Sequence, residues 1–287
     1  IHEVTLFDSH GIFYGSSSHN QNRLHLGYHY CRDYNTRELC RTTYETFIEE
    51  YGFVVDDVEK NYYVVPEKHS IIDYKTYVKI FDEFTTHEEV DLDFLQNCSG
   101  AIDTREKYIN PHKCREYFED ILSDVYVQES IDELKLSQLQ LEYDFVINAT
   151  NNTLHPIEDD IFSEQCDSLL YKKKGDLDFG ALTFVDGKLF SLYPHDRENG
   201  IYSLSDVEHT PNPRLTIEQK RNLMESKVLW YYGSFLDDFE YYGYHKGKKE
   251  KVRNLSDSRV PLVRREGNLF SIFTGKIQGI YYIQKEI

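Results

Sequence analysis

The sequence predicts an α/β protein in which a helix-covered parallel sheet is joined to an antiparallel sheet. Residues 143–150 form a continuous apolar run ending in Asn148, Ala149 and Thr150, and a strand apolar on both faces belongs in a parallel sheet buried between helices. Between 167 and 209 the pattern changes to short alternating strands separated by Lys174-Gly175-Asp176, Asp186-Gly187 and Asn199-Gly200, which is the signature of an antiparallel meander. Helical periods with recognisable ends flank both regions.

Residues 4–7 predict a buried strand that ends at an acid, Asp8, and runs into a Gly/Ser-rich stretch over 11–18. Leu39, Tyr44, Phe47, Ile48 and Tyr51 recur at three- and four-residue spacing, so 35–51 is predicted as a helix with Gly52 at its C-cap. A strand over 61–65 is stopped by Pro66, and a second amphipathic helix covers 73–84. Glu88, Glu89, Asp91 and Asp93 read as a solvated acidic face. Pro111 suits the first turn of a helix to about 122, where its missing N–H costs nothing. Residues 125–141 read as strand-like. Thr216 with Gln219 three residues on is a capping box that starts a helix to about 235, carrying the one tryptophan, Trp230. A strand over 269–273, a turn at Gly275 and a short helix close the chain. Lys246, Lys248, Lys249, Lys251 and Arg253 are expected in a solvated loop.

Composition excludes several classes. With 287 residues, 40% of them hydrophobic, the chain can bury a substantial core. Its formal net charge of -18 repels polyphosphate backbones and anionic membranes, so no nucleic-acid partner is expected. The apolar runs are only a few residues long, against roughly 20 for a membrane span. The five cysteines are scattered without a Cys-x-x-Cys pair, which suggests neither a disulfide framework nor a metal site and fits a cytoplasmic setting. The 24 tyrosines are mostly packing residues.

A dinucleotide site needs a glycine-rich turn for the pyrophosphate and, about 20 residues later, an acid ending the second strand to accept the ribose hydroxyls. Asp8 suits the acid, but no Gly-x-Gly-x-x-Gly occurs among the 15 glycines. Because Ile1 opens directly into a β-rich run, the chain is expected to be truncated, with the turn in roughly 25 to 30 upstream residues.

The context of Asp8 sharpens this. Asn20, Leu24, His25, Gly27 and Tyr30, followed by Thr36-Arg37-Glu38-Leu39-Cys40, resemble the FAD-dependent oxidoreductases of the D-amino-acid oxidase superfamily, nearest the branch of L-2-hydroxyglutarate and glycerol-3-phosphate dehydrogenases. Gln21-Asn22 stands where that family has Ser-Gly. Asp144 to Thr150 resembles the strand ending in Asn-Ala-Thr/Ala-Gly, with Asn151 in place of the glycine. Ser258-Arg259-Val260-Pro261 and Thr274-Gly275-Lys276-Ile277 resemble the Arg-x-Pro segment and the final strand-to-helix turn.

The resemblance implies a Rossmann-like three-layer FAD-binding domain from residues 1–60, 109–165 and 250–287, and an inserted antiparallel-sheet substrate domain from 61–108 and 166–249. It implies FAD contacts from Asp8, Ser17, Ser18, Asn20, Gln21, Asn22, Arg23, Leu24, Ile131, Asn148, Ala149, Thr150, Gly275, Lys276 and Ile277. It further implies oxidation of a CH–OH or CH–NH group of a small anionic substrate by hydride transfer to flavin, with His25 as base or polariser and Arg259 on the substrate's anionic end. By residue type alone, His25 also reads as a hydrogen-bonded structural histidine, Arg259 as one half of a surface ion pair, and Lys276 as a helix-end cation. Two rival readings stay open: a flavoprotein acting on a nucleotide-linked or sugar substrate without net oxidation, and a non-catalytic truncated paralogue that serves as a binding protein.

Overall fold

The computed structural model describes residues 3–17, 20–83, 87–157, 161–254 and 258–287. In chain order, β1 (Leu6–Asp8) and β2 (Arg23–Leu24) precede α1 (Tyr34–Tyr51), β3 (Val55–Asp56), β4 (Asn61–Pro66), α2 (Tyr74–Ile80), β5 (His87–Val90), β6 (Cys98–Thr104) and β7 (Lys107–Ile109). Then come α3 (Pro111–Leu122), β8 (Tyr126–Gln128), α4 (Glu133–Glu142), β9 (Val146–Asn148), β10 (Ile161–Lys173), β11 (Ala181–Phe184), β12 (Phe190–Asp196) and β13 (Ile201–Asp206). The chain finishes with α5 (Ile217–Tyr231), α6 (Phe235–Asp238), β14 (Phe239–Val252), β15 (Leu262–Glu266), β16 (Leu269–Phe273) and α7 (Ile280–Glu286).

The largest sheet has the strand order β14-β10-β13-β12-β11-β4-β6-β5. Its period-2 alternation sorts side chains onto two faces. Leu169, Leu182, Phe184, Phe190, Leu192 and Leu204 point to one face, where Met224, Val228 and Tyr231 of α5 cover them. The capping box of Thr216 and Gln219 starts that helix as predicted. Tyr63, Val65 and Ile102 point to the opposite face and pack against Tyr44 and Phe47 of α1 and Tyr77 of α2. On the same side Ser191, Tyr193 and Ser203 give the sheet a polar floor, buried but rich in hydroxyls.

Parallel pairs occur in the large sheet, between β4 and β11, and in two smaller sheets. β1 pairs with β8, Leu6 opposite Tyr126, and β9 pairs with β16, Leu269 opposite Val146. The Tyr143 hydroxyl bonds Thr5 Oγ1 at 2.9 Å, which ties the entry to β9 to the entry to β1. A third sheet, β2-β7-β3, fixes the segment around His25 beside the large sheet.

Several elements depart from the sequence reading. Residues 125–141 are not all strand: only β8 is, and Asp132 then caps α4 by accepting from the Lys135 N–H. Leu136 and Leu139, three apart on one helical face, are its buried residues, so a leucine alternation that mimics a strand resolves as a helix. The run 143–150 is a strand for only three residues, and Phe145 and Ile147 are exposed rather than covered. The basic run from Lys246 to Lys251 is not a loop: it lies in β14, paired along its length with β10, where Lys251 meets Glu164 at 2.6 Å. Helix α2 ends at Ile80, because Phe81 already leaves helical geometry. Gly52 keeps right-handed helical dihedrals and opens a 3-10 turn instead of a left-handed cap.

Candidate functional site

The loop between β1 and α1 carries most of the predicted site, and local geometry explains its course. Asp8 Oδ1 accepts the N–H groups of His10 (2.7 Å) and Gly11 (3.0 Å), turning the chain at the end of β1. Asn20 bonds back to the Ser16 and Ser17 carbonyls, and its Oδ1 accepts the Asn22 N–H at 2.6 Å. Asn22 sits at φ +50, which an Asn tolerates better than most residues. Ser18 lies outside the described residues. A cavity of about 470 Å³ separates residues 10–16 from residues 246–248 of β14.

Gln21 and Arg23 dock this loop on the polar floor. Gln21 Oε1 accepts from Ser191 Oγ at 2.8 Å and from Arg23 Nη2 at 2.9 Å. Arg23 Nη1 donates to Thr183 Oγ1 (2.6 Å) and to the Tyr63 hydroxyl (3.3 Å), and its guanidinium lies 4.1 Å over the Tyr193 ring. Such a cation over an electron-rich face is favourable, the more so when desolvated. Leu24 is fully buried and pairs with Lys107, so its side chain is an anchor for the loop.

The next residues are held by a group the sequence reading missed. Glu106, fully buried, accepts the N–H groups of Leu26 (2.7 Å) and Gly27 (3.1 Å) at Oε1 and the Tyr63 hydroxyl (2.5 Å) at Oε2. Between Arg105 and Lys107 it looks like surface charge, and no spacing signal marks it. Burial pushes its carboxyl up, but His25, the Tyr63 hydroxyl and Arg23 outweigh that and hold it at about 2.

His25 Nδ1 lies 3.4 Å from Glu106 Oε2, and Nε2 lies 3.3 Å from Lys276 Nζ. Burial and then Lys276 bring the imidazole down to about 4 against the pull of Glu106, so it is neutral at pH 7. With Lys276 donating to Nε2, the ring proton belongs on Nδ1, facing Glu106. Lys276 also stands 5.0 Å over the Tyr30 ring.

The C-terminal segments reach the same place. Gln278, another residue not anticipated, bonds both the N–H and the carbonyl of His25 and also the Cys40 carbonyl. Gly275 adopts φ +62, and a Cβ there would stand 2.3 Å from the Arg259 carbonyl, so the Arg-x-Pro segment and the final turn need glycine to touch. Arg259 is 8% exposed, and its N–H bonds Thr36 Oγ1. Gly275 and Lys276 do not head a helix: a 3-10 turn from Ile277 comes first, and α7 starts after Gly279. Ile277 packs into the core beside α1.

The pairing of Ser271 with Asn148 sets Asn148, Ala149 and Thr150 at the same strand end as Gly275. Asn148 spans its own turn, accepting from Thr150 and donating to the Leu154 carbonyl, while Ala149 and Thr150 are exposed. Ile131, just past β8, packs with Leu154, Leu269 and Val146. Asp8, Ile131, Thr150 and Gly275 therefore all lie past the C-terminal ends of parallel strands, where open α/β sheets bind their ligands.

Leftover donors test whether FAD suits these residues. Asn22 Nδ2 and Arg23 Nε are buried with no hydrogen-bond partner among the described residues, on the loop that the resemblance assigns to the flavin. Buried donors without acceptors are costly, and an acceptor-rich ring system satisfies them. The residues of this loop fit the flavin end of the group.

Comparison with known proteins agrees. No family model matches the chain. It is 31% identical to the FAD-dependent monooxygenase FPY4 of Fusarium mangiferae over 312 aligned residues, taking in 99% of this chain and 83% of that protein. Its fold is similar to glycine oxidase from Geobacillus kaustophilus, with a TM-score of 0.71 at 9% identity over 98% of this chain and 87% of that one. It is also similar to L-α-glycerophosphate oxidase from Mycoplasma pneumoniae with FAD bound, with a TM-score of 0.62 at 10% identity over 99% and 87%. A modified fructosyl peptide oxidase from Aspergillus nidulans gives 0.67 at 10% over 98% and 83%. These relatives lead to one conclusion: the chain belongs to the family of the FAD-dependent monooxygenase FPY4, with a fold shared with glycine oxidase and L-α-glycerophosphate oxidase.

Proposed function

We propose that this oxidoreductase removes two electrons from a CH–OH or CH–NH group of a small anionic substrate. The observation that supports it most is a charge reversal: in a chain of net charge -18, Arg23, Lys276 and Arg259 surround His29 beside the polar floor of the large sheet. A cationic site in an acidic protein selects anions, and a planar guanidinium matches a carboxylate bidentately.

When bound, FAD supplies the electron sink for such an oxidation. The chain's own residues do the rest. Residues 1–60, 109–165 and 250–287 hold the cofactor, and 61–108 with 166–249 cover the substrate. Asp8 takes ribose hydroxyls; Ser17, Asn20, Gln21, Asn22 and Arg23 line the flavin loop; Asn148, Ala149, Thr150, Gly275 and Ile277 form the opposite strand ends. Arg259 takes the substrate's anionic group. His25, with Lys276 Nζ 3.3 Å from Nε2 and Glu106 3.4 Å from Nδ1, serves as base or polariser at the reacting centre.

Anaerobic mixing of the FAD-loaded protein with 2-hydroxy acids and amino acids tests this. Bleaching of the flavin band by a member of either series is the expected result; a band untouched by both removes the proposal. A second reading follows from the relative named a monooxygenase: insertion of one oxygen atom into the substrate. Turnover under ¹⁸O₂ separates the two, because only the second puts label into the organic product at the oxidised carbon.

A further inference from the structure

Arg23 is a buried cation whose donors are only partly used. The side chain is 7% exposed, and the hydrogen bonds it makes among the described residues all go to neutral groups: Thr183 Oγ1 and the Tyr63 hydroxyl at Nη1, Gln21 Oε1 at Nη2. Glu106 is reached through the Tyr63 hydroxyl. The guanidinium carbon lies 4.1 Å over the Tyr193 ring, and Nε is enclosed with no hydrogen-bond partner among the described residues. A desolvated charge with an empty donor is costly to keep.

We propose that Arg23 binds the anionic group of the substrate through its Nε edge, beside Arg259, and that Gln21 is the positioning residue that fixes Arg23 for it. The assignment deepens the oxidation reading above and rests on that reading for the anion. Asn22 Nδ2, the neighbouring buried donor, is neutral, so a flavin carbonyl is acceptor enough for it. A neutral acceptor would also meet the geometric need of Arg23 Nε, but only an anion offsets its charge as well. A carboxylate does both, because its two oxygens match two N–H groups on one edge of a guanidinium.

The geometry of Gln21 gives the second half of the proposal. Its Oε1 accepts from Arg23 Nη2 at 2.9 Å and from Ser191 Oγ at 2.8 Å, and its Nε2 lies 3.4 Å from the Ser191 carbonyl and from the carbonyl and Oγ of Ser203. The amide therefore ties the guanidinium to β12 and β13, while Thr183 on β11 and Tyr63 on β4 hold the other end. Four strands of the large sheet fix one side chain. A cation fixed before its ligand arrives loses little rotamer freedom on binding. Serine, which the resembling family carries in place of Gln21, lacks the Cγ and Cδ that bring the acceptor out to Ser191 and Arg23, so Gln21 sets this site apart by holding an arginine still.

Acetate, with neutral acetamide of the same shape as control, tests this by titration calorimetry on the FAD-loaded protein. Acetate should bind about 10- to 100-fold more weakly to Arg23→Lys and about 3- to 10-fold more weakly to Gln21→Ser, with acetamide unchanged in both. A merely structural role would move acetate and acetamide alike, and that result overturns the proposal. So does parent-like acetate affinity in both variants, or no acetate binding to the parent protein. Release of FAD by Arg23→Lys, with acetate binding by Gln21→Ser unchanged, gives the Nε donor to the flavin and also overturns it. If a substrate bleaches the flavin while acetate fails these tests, the oxidation stands and Arg23 is not its anchor; if acetate behaves as expected and no substrate bleaches, the oxidation reading fails and the anion site stands. Should the Arg23 variant not fold, the ¹⁵N–¹H signal of Arg23 Nε in the parent protein decides: movement with acetate but not acetamide supports the site, and a stationary signal overturns it.

Discussion

The large sheet and the small parallel sheets solve the burial problem differently. In the large sheet, Leu182, Leu192, Leu204 and Leu169 are fully buried, because α5 lies along the whole apolar face. At the small sheet that holds β9, Ile147 and the preceding Phe145 are exposed even though the run 143–150 reads as a buried parallel strand. Among the described residues β1 and β9 each pair along one edge only. The difference teaches that the large sheet is self-sufficient, while the ends of the small parallel strands are the poorly covered part, the kind of region that opens first and gains most from a ligand.

The largest expected effect lies where the two regions meet. Glu106→Ala removes the acceptor for Leu26, Gly27 and Tyr63 and the partner of His25, and should cost about 3–5 kcal/mol in urea unfolding. A loss under about 1 kcal/mol would mean that the loop is anchored elsewhere. Next, Met224→Ala under the large sheet should cost about 2–5 kcal/mol, whereas Ile147→Ser on the open strand should change stability by about 0.5 kcal/mol or less. Equal losses at the two positions would erase the contrast.

Acid should act on the junction as well. The His25 imidazole is lowered to about 4, so its contribution is present above pH 6.5 and is lost as pH falls from 6.5 through 4. Glu106, lowered to about 2, continues the loss below pH 4.5. His25→Asn should flatten the upper window in a series of thermal melts while leaving the lower one; an unchanged slope would show that the ring titrates normally. Finer still, FAD should slow amide exchange in β1 and β9 and leave β10 to β13 as they are, since those strands are already covered. Thr216→Ala should cost about 1 kcal/mol, through loss of the capping box that starts α5.

Local chemistry made much of this legible. Pro111 fixes the start of α3, and Leu269–Phe273 is the strand that its alternation and the following Gly275 announce. The loop around His25 was readable only as a resemblance, carried by residue types that lie close together in the chain. The leucines of α4 were not, because a helix with leucines at 134, 136, 139 and 141 alternates like a strand until packing chooses Leu136 and Leu139. Glu106 and Gln278 carry no local signal; they matter only through partners about 80 and 253 residues away in sequence.

Taken alone, then, the order of residues determined the α/β class and the cofactor, since these depend on periodicity and on residue types close together in the chain. Tertiary structure decided that His25 is buried with Glu106 on one side and Lys276 on the other. That placement depends on Glu106 and Lys276 arriving from loops distant in the chain, and no pattern along the chain encodes the burial that sets the charge of a ring.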